Sequence, residues 1–155
     1  MNPEITLCEV QECHLPVFFE QQLDPEAIRM AAFPSREREA FMAHWAKCMT
    51  NETTVLRTIV FEGEVAGNIV FWEDPGEPKI GYWLGRAYWG KGLATAALSQ
   101  FLEVVEVRPL YARVAKHNGR SVSVLQKCGF TVATEDFISA ADGSRIEEFL
   151  MVLVA

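Results

Sequence analysis

The residue types best suited to chemistry fall in residues 80–98, IGYWLGRAYWGKGLATAAL, where Gly90 and Gly92 flank Lys91. A strand-like run gives way there to a helix-like one. The first turn of a helix leaves backbone N–H groups without intrahelical partners, and the helix dipole makes that end electropositive. Glycines remove the side chains that would keep an anion away from those amides. Lys91 adds a positive charge, and the Thr95 hydroxyl adds one donor. Gly90, Lys91, Gly92, Leu93, Ala94 and Thr95 therefore form a candidate cradle for a diphosphate. The same glycines would also suit a plain tight turn. The stretch is neither GxxxxGK[ST] nor a GxGxxG followed by an acidic residue about 20 positions on.

A second stretch, residues 111–130, reads YARVAKHNGRSVSVLQKCGF. A strand leads to Asn118, a residue suited to cap the helix that follows, and Gly129 suits the stop before Phe130 opens another strand. Carboxylates that could accept a proton cluster earlier. Glu73 and Asp74 end one strand and Glu77 precedes the next, although acidic residues beside Pro and Gly usually serve as solvated turn residues. His117 has an unperturbed pKa suited to a base, yet a single His at a strand end is more often structural. His14 and His44 read as surface or helix-face residues.

The elements around these stretches follow from periodicity. Residues 5–10 alternate as a first strand. Residues 14–32 read as helical, broken at Asp24-Pro25, and Ser35 opens a further helix with Glu37 and Arg38 in its first turn. Residues 54–61 and 65–72 are β-branched and aromatic, joined by Glu62-Gly63-Glu64, and a third run covers 79–84 after Pro75-Gly76. Residues 90–107 carry an apolar helical stripe: Leu93, Ala97, Leu98, Phe101, Leu102 and Val105. A strand at 110–115, a helix at 120–127 and strands at 130–137 and 147–154 complete an α+β (mixed α/β) domain, expected to span residues 1–155 as one unit.

Bulk properties narrow the function. The formal net charge is -7, half of the 155 residues are hydrophobic, and 23% are charged. Such acidity without gathered Lys and Arg argues against nucleic acid, and it suits a cationic partner. Cys8, Cys13, Cys48 and Cys128 show no CxxC pair and no finger spacing, so reduced thiols and no metal are expected. The N-terminal residues contain no apolar signal-like core, and no apolar run reaches about 18 residues. A cytoplasmic protein without membrane contact is the expectation.

WGKGLA followed by NGRSVSVLQKCGF resembles the GNAT superfamily of acyl-CoA N-acyltransferases, and within it the subgroup of ribosomal-protein N-terminal acetyltransferases. The superfamily turn reads [QR]-x-x-G-x-[GA], and residues 89–94 depart from it only in having Trp89 first. The spacing N-x-x-S-x-x-V-L-x-K-x-G-F over residues 118–130 is similar to the subgroup's pattern. The resemblance covers nearly the whole order of elements. It implies a central, mostly antiparallel, splayed sheet of about seven strands flanked by helices, with acetyl-CoA as cosubstrate.

By that resemblance the backbones of Trp83 and Leu84 pair with the pantetheine arm, Trp89 to Thr95 hold the diphosphate, and Asn118 bonds pantetheine or nearby backbone. A neutral amine then attacks the thioester carbonyl, which calls for a path for the ammonium proton, a donor at the oxyanion and an acid for the thiolate. Many members place a Tyr seven residues after the Asn as that acid, but here the position holds Leu125. Ser121 is the implied substitute, with a simple CoA-anchoring or capping role as its alternative, and Glu77 is the candidate base. The acceptor is expected among residues 23–33, the Phe71-Trp72 strand end and residues 137–145, with Phe33, Trp72 and Tyr82 as an apolar wall. The resemblance points to a peptide N-terminus. A small-molecule amine acetyltransferase and a non-catalytic acyl-CoA-binding module remain open, as does a monomer or homodimer.

Overall fold

A computed structural model describes residues 4–31, 35–139 and 143–155 of the chain. Phe33, and residues 140–142 of the 137–145 span, lie outside the described residues. The elements run β1 (Ile5–Glu9), a 3-10 turn (Glu12–His14), α1 (Leu15–Gln21), α2 (Pro25–Ala31), α3 (Arg38–Thr50), β2 (Val55–Phe61), β3 (Glu64–Asp74) and β4 (Glu77–Leu84). A second 3-10 turn (Arg86–Tyr88) leads to α4 (Leu93–Val104), β5 (Leu110–Ala115), α5 (Gly119–Lys127), β6 (Thr131–Ser139) and β7 (Arg145–Leu153). The strands form one seven-stranded sheet in the order β1-β2-β3-β4-β5-β7-β6. Every neighbouring pair is antiparallel except β4 and β5, which are parallel. This is the mostly antiparallel α+β sheet that the resemblance implies.

Strand alternation feeds two cores. Ile59, Ile69, Phe71 and Ile80 pack with Leu93, Leu98 and Phe101 of α4 and Leu125 of α5 on one face. On the other face Leu15, Phe18 and Phe19 of α1 meet Phe41 and Trp45 of α3, over Leu56, Val65 and Val70. The amphipathic stripe of α4 thus fixes that helix against the sheet, with Leu98 and Phe101 fully buried. Among the described residues no helix is long and apolar enough to cross a membrane.

Two helix starts differ from the sequence expectation, each for a local reason. The third helix begins at Arg38 rather than Ser35 because Gln22 claims the preceding backbone. Its Oε1 accepts from Arg36 N–H at 2.8 Å and its Nε2 donates to Arg36 C=O at 3.1 Å, which leaves Glu37 extended at the cap. The long helix begins at Leu93 rather than Gly90, since Gly90 and Gly92 have φ of 76° and 77°. That left-handed backbone cannot belong to a right-handed helix.

The β3–β4 approach depends on one missing side chain. A Cβ built on Gly67 would lie 2.1 Å from Trp83 O and 3.0 Å from Leu84 Cα, both backbone atoms that cannot yield without moving β4. Gly67→Ala should therefore lower the urea midpoint, with a loss of about 1–3 kcal/mol at an unchanged slope. An unchanged midpoint would mean that β3 and β4 tolerate separation.

Candidate active site

The sheet opens between β4 and β5. Their register consists of one pair, Lys79 with Tyr111, after which the strands diverge. By contrast, β4 stays paired with β3 from Asp74–Glu77 through Gly67–Leu84. Gly85 N–H donates to Ala66 C=O at 2.8 Å, so Gly85 faces β3. Alternation then turns the peptide groups of Trp83 toward β3 and those of Tyr82 and Leu84 toward the opening. The Trp83 backbone is thus used by the ladder, and the expectation that it pairs with an added arm passes to Tyr82. The Trp83 indole N–H points elsewhere, donating to Gln21 C=O at 3.2 Å. Leu84 C=O accepts from Trp89 Nε1 at 3.1 Å, which ties the end of β4 to the glycine turn.

A cleft of about 580 Å³ runs from this opening past the glycine turn. Of the residues expected to hold a cofactor, Trp83, Leu84, Trp89, Gly90, Gly92, Leu93, Ala94, Thr95, Asn118 and Ser121 line it. Lys91 is exposed and is not part of the lining. Leu93 is only 1% exposed and packs its side chain into the core. The first intrahelical bond at this end runs from Ala96 N–H to Gly92 C=O at 3.2 Å, leaving the amides of Leu93, Ala94 and Thr95 without helical partners.

The positive charge comes from residues that the sequence reading did not single out. Arg120 and Lys127 of α5 line the cleft, and the Arg120 guanidinium stands 5.6 Å over the Trp89 ring. A Cβ on Gly90 would lie 3.9 Å from Arg120 Nη1. The bare turn, the free amides and these two cations fit a diphosphate. The signal in the sequence was Arg120, two residues after the Asn118 cap, on a helix whose packing only the fold reveals.

Asn118 does cap α5, its Oδ1 accepting from Ser121 N–H at 3.3 Å. Ser121 Oγ lies 2.8 Å from the Tyr82 hydroxyl. Tyr82, read from sequence as an apolar wall, therefore brings a polar group into the site. Burial pushes its phenol up to about 12, with the Ser121 hydrogen bond pulling the other way. A smaller cavity of about 110 Å³ lies in the fork, lined by Gly81, Tyr82, Ala112, Arg113 and Ser121 among others.

Glu77 is not brought to this hydroxyl pair. It begins β4, five residues and about 16 Å of extended strand from Tyr82. The turn carboxylates serve buried Lys79 instead: Asp74 Oδ2 accepts from its Nζ at 2.6 Å, and Glu77 Oε2 lies at 3.9 Å. Glu73 is exposed on β3. His117 Nε2–H donates to Arg29 C=O at 2.6 Å and ties α2 to the start of α5. His14 Nδ1 bonds Thr58 Oγ1 at 2.7 Å, and His44 sits on α3 against Cys48, 3.6 Å from Nε2 to Sγ. Ala27, Met30 and Ala31 of α2 line this same cleft. Trp72 is exposed and lies across Gly81, while Phe137, on the β6–β7 hairpin, stacks under Arg145.

A family model described as an acetyltransferase (GNAT) domain matches residues 4–131. No curated protein matches the sequence. Solved structures share the fold at low identity. The spermidine N-acetyltransferase of Vibrio cholerae, in complex with CoA and spermine, has a TM-score of 0.84 at 14% identity, covering 97% of this chain and 95% of its own. The microcin C7 self-immunity acetyltransferase, in complex with acetyl-CoA and AMP, has a TM-score of 0.81 at 20% identity, with coverage of 99% and 94%. An aminoglycoside acetyltransferase in complex with coenzyme A has a TM-score of 0.76 at 18% identity, with coverage of 97% and 95%.

The raised Tyr82 pKa has a stability consequence. An acid whose folded pKa lies above its unfolded value of about 10 keeps its proton longer in the native state. Stability from Tyr82 is then complete below pH 10 and is lost as pH climbs toward about 12. Urea titrations of wild type and Tyr82→Phe should diverge in slope against pH only within that window, wild type losing on the order of 2–3 kcal/mol more. Parallel curves would show that the phenol is solvated.

Proposed function

The chain belongs to the GNAT acetyltransferase family and is an acetyl-CoA-dependent N-acetyltransferase, and from that premise we propose that residues 1–155 act as one catalytic domain whose acceptor is a small-molecule primary amine. The observation that carries this reading is the fork: a sheet opened after one β4–β5 pair, with free helix amides on one side and a cavity of about 110 Å³ on the other. The diphosphate of CoA lies against the first turn of α4, met by the amides of Leu93, Ala94 and Thr95 and by Arg120 and Lys127. The pantetheine arm takes the place of a missing strand, using the peptide groups of Tyr82 and Leu84 as a ladder would.

Acetyl-CoA supplies the activated acyl group; this chain supplies position and hydrogen bonds. The cleft and the fork share Tyr82, Asn118 and Ser121, so the thioester end of the arm meets the acceptor beside that group. Ser121 offers its hydroxyl to the departing sulfur, while the Asn118 cap holds the helix start that carries it. The lining of the two cavities, among the described residues, contains no carboxylate or imidazole. The proton that the nitrogen sheds on forming the amide therefore goes to water.

A cavity of this size admits the head of a small amine. The similar structures support the same class by what their names say they act on or hold: spermidine and spermine, and an aminoglycoside. The subgroup resemblance of residues 118–130 favours a second reading, a peptide N-terminus. Thiol release from acetyl-CoA across a panel of polyamines, aminoglycosides, amino acids and short peptides decides between them. Turnover with peptides alone would replace the small amine, and CoA binding without turnover of any amine would leave a binding module.

Two variants test the division of labour. Ser121→Ala should cut turnover about 10²-fold with little change in CoA affinity by calorimetry; an unchanged turnover number would remove the hydroxyl from the chemistry. Arg120→Ala should weaken acetyl-CoA about tenfold or more, increasingly at low salt, yet leave turnover of S-acetylpantetheine unaltered. Equal losses with both donors would place Arg120 away from the diphosphate.

A further inference from the structure

We infer that Tyr82 is a positioning residue for acyl transfer: its phenol donates to Ser121 Oγ and so turns the Ser121 O–H toward the departing sulfur. The inference rests on the reading of Ser121 given above and deepens it. Among the described residues, four line both the cleft and the fork cavity: Ala31, Tyr82, Asn118 and Ser121. Ala31 has no polar side-chain group, and Asn118 Oδ1 is spent on Ser121 N–H. The junction's hydroxyl chemistry therefore belongs to Tyr82 and Ser121, 2.8 Å apart.

The direction of their hydrogen bond follows from the two oxygens. A phenol delocalises its lone pair into the ring, so it donates better and accepts less well than an alkanol. Ser121 has a freely turning O–H and two lone pairs. If the phenol donates, one serine lone pair is taken and the serine proton is displaced away from the ring, into the space where cleft and fork meet. A chain of two such bonds also polarises the serine hydroxyl.

Outright proton transfer from the phenol is a different matter. A group held near 12 lies about three units above an ordinary thiol, so the phenol keeps its proton. In the step itself the amine nitrogen forms the new C–N bond, the C–S bond breaks, and its electron pair remains on sulfur. The proton lost by nitrogen goes to water. Tyr82 and Ser121 each retain their own proton and contribute only the oriented donor.

A double-mutant cycle on the full chain tests this, with acetyl-CoA and the best amine from the acceptor panel. Tyr82→Phe alone should lower kcat about tenfold while the KM for acetyl-CoA stays within about twofold. In a Ser121→Ala background the same substitution should cost nothing further. Ser121→Thr, which keeps a hydroxyl beside the phenol, should restore sensitivity to Tyr82→Phe; insensitivity there would count against the coupling. Equal factors in both backgrounds, or no loss from Tyr82→Phe alone, would overturn the inference. A full kcat in Ser121→Ala would instead overturn the reading of Ser121 on which it rests.

Discussion

The parallel junction of β4 and β5 is the constraint on which the rest of the molecule depends. Two strands that stayed paired along their length would close the sheet and leave the glycine turn facing protein. Here the shared register stops at Lys79–Tyr111, while β4 on its other side and β5 against β7 pair along their full extents. Each strand is therefore anchored by its outer neighbour and free along its inner edge. A free edge presents unpaired amides and carbonyls, which water can serve and which an extended, amide-bearing arm serves as well. The two cores, one on each face, hold the halves of the sheet in this open arrangement.

Charge is distributed in keeping with that opening. The chain carries a net charge of -7, yet among the described residues the titratable groups lining the cleft are Arg120 and Lys127, besides the two tyrosines. The acidic side chains near β4 are drawn to its far end, where buried Lys79 holds Asp74 and Glu77 beside the one β4–β5 pair. Arg113 in the fork is likewise matched by buried Glu148 at 2.7 Å. An anion approaching the start of α4 thus meets amides and cations, and a compact amine approaching from the fork meets little net charge.

Much of this was legible in the sequence. Alternation in residues 5–10 and β-branched or aromatic runs between turns located the strands, and the apolar stripe from Leu93 to Phe101 located the helix that faces the sheet. Gly90, Gly92 and Asn118 marked the turns because their backbone and capping chemistry is local. What escaped notice was set at a distance. Tyr82 and Ser121 are separated by 39 positions and meet only when α5 docks over β4, so neither spacing nor residue type signals the pair. Glu77 looked free because its partner Lys79, two residues on, gives no sign in sequence that its side chain is buried. The start of α3 was displaced by Gln22, 14 positions before the backbone it holds.

Amide-resolved hydrogen exchange with and without CoA measures the decisive contact directly. CoA held as described should slow exchange at Leu93, Ala94 and Thr95, whose N–H groups lack helical partners, and at Tyr82 and Leu84 along the open edge of β4. Trp83, already bonded to β3, should change least among its neighbours. Tight binding of CoA with no slowing at the start of α4 and along that edge would contradict the fork as the cofactor's seat.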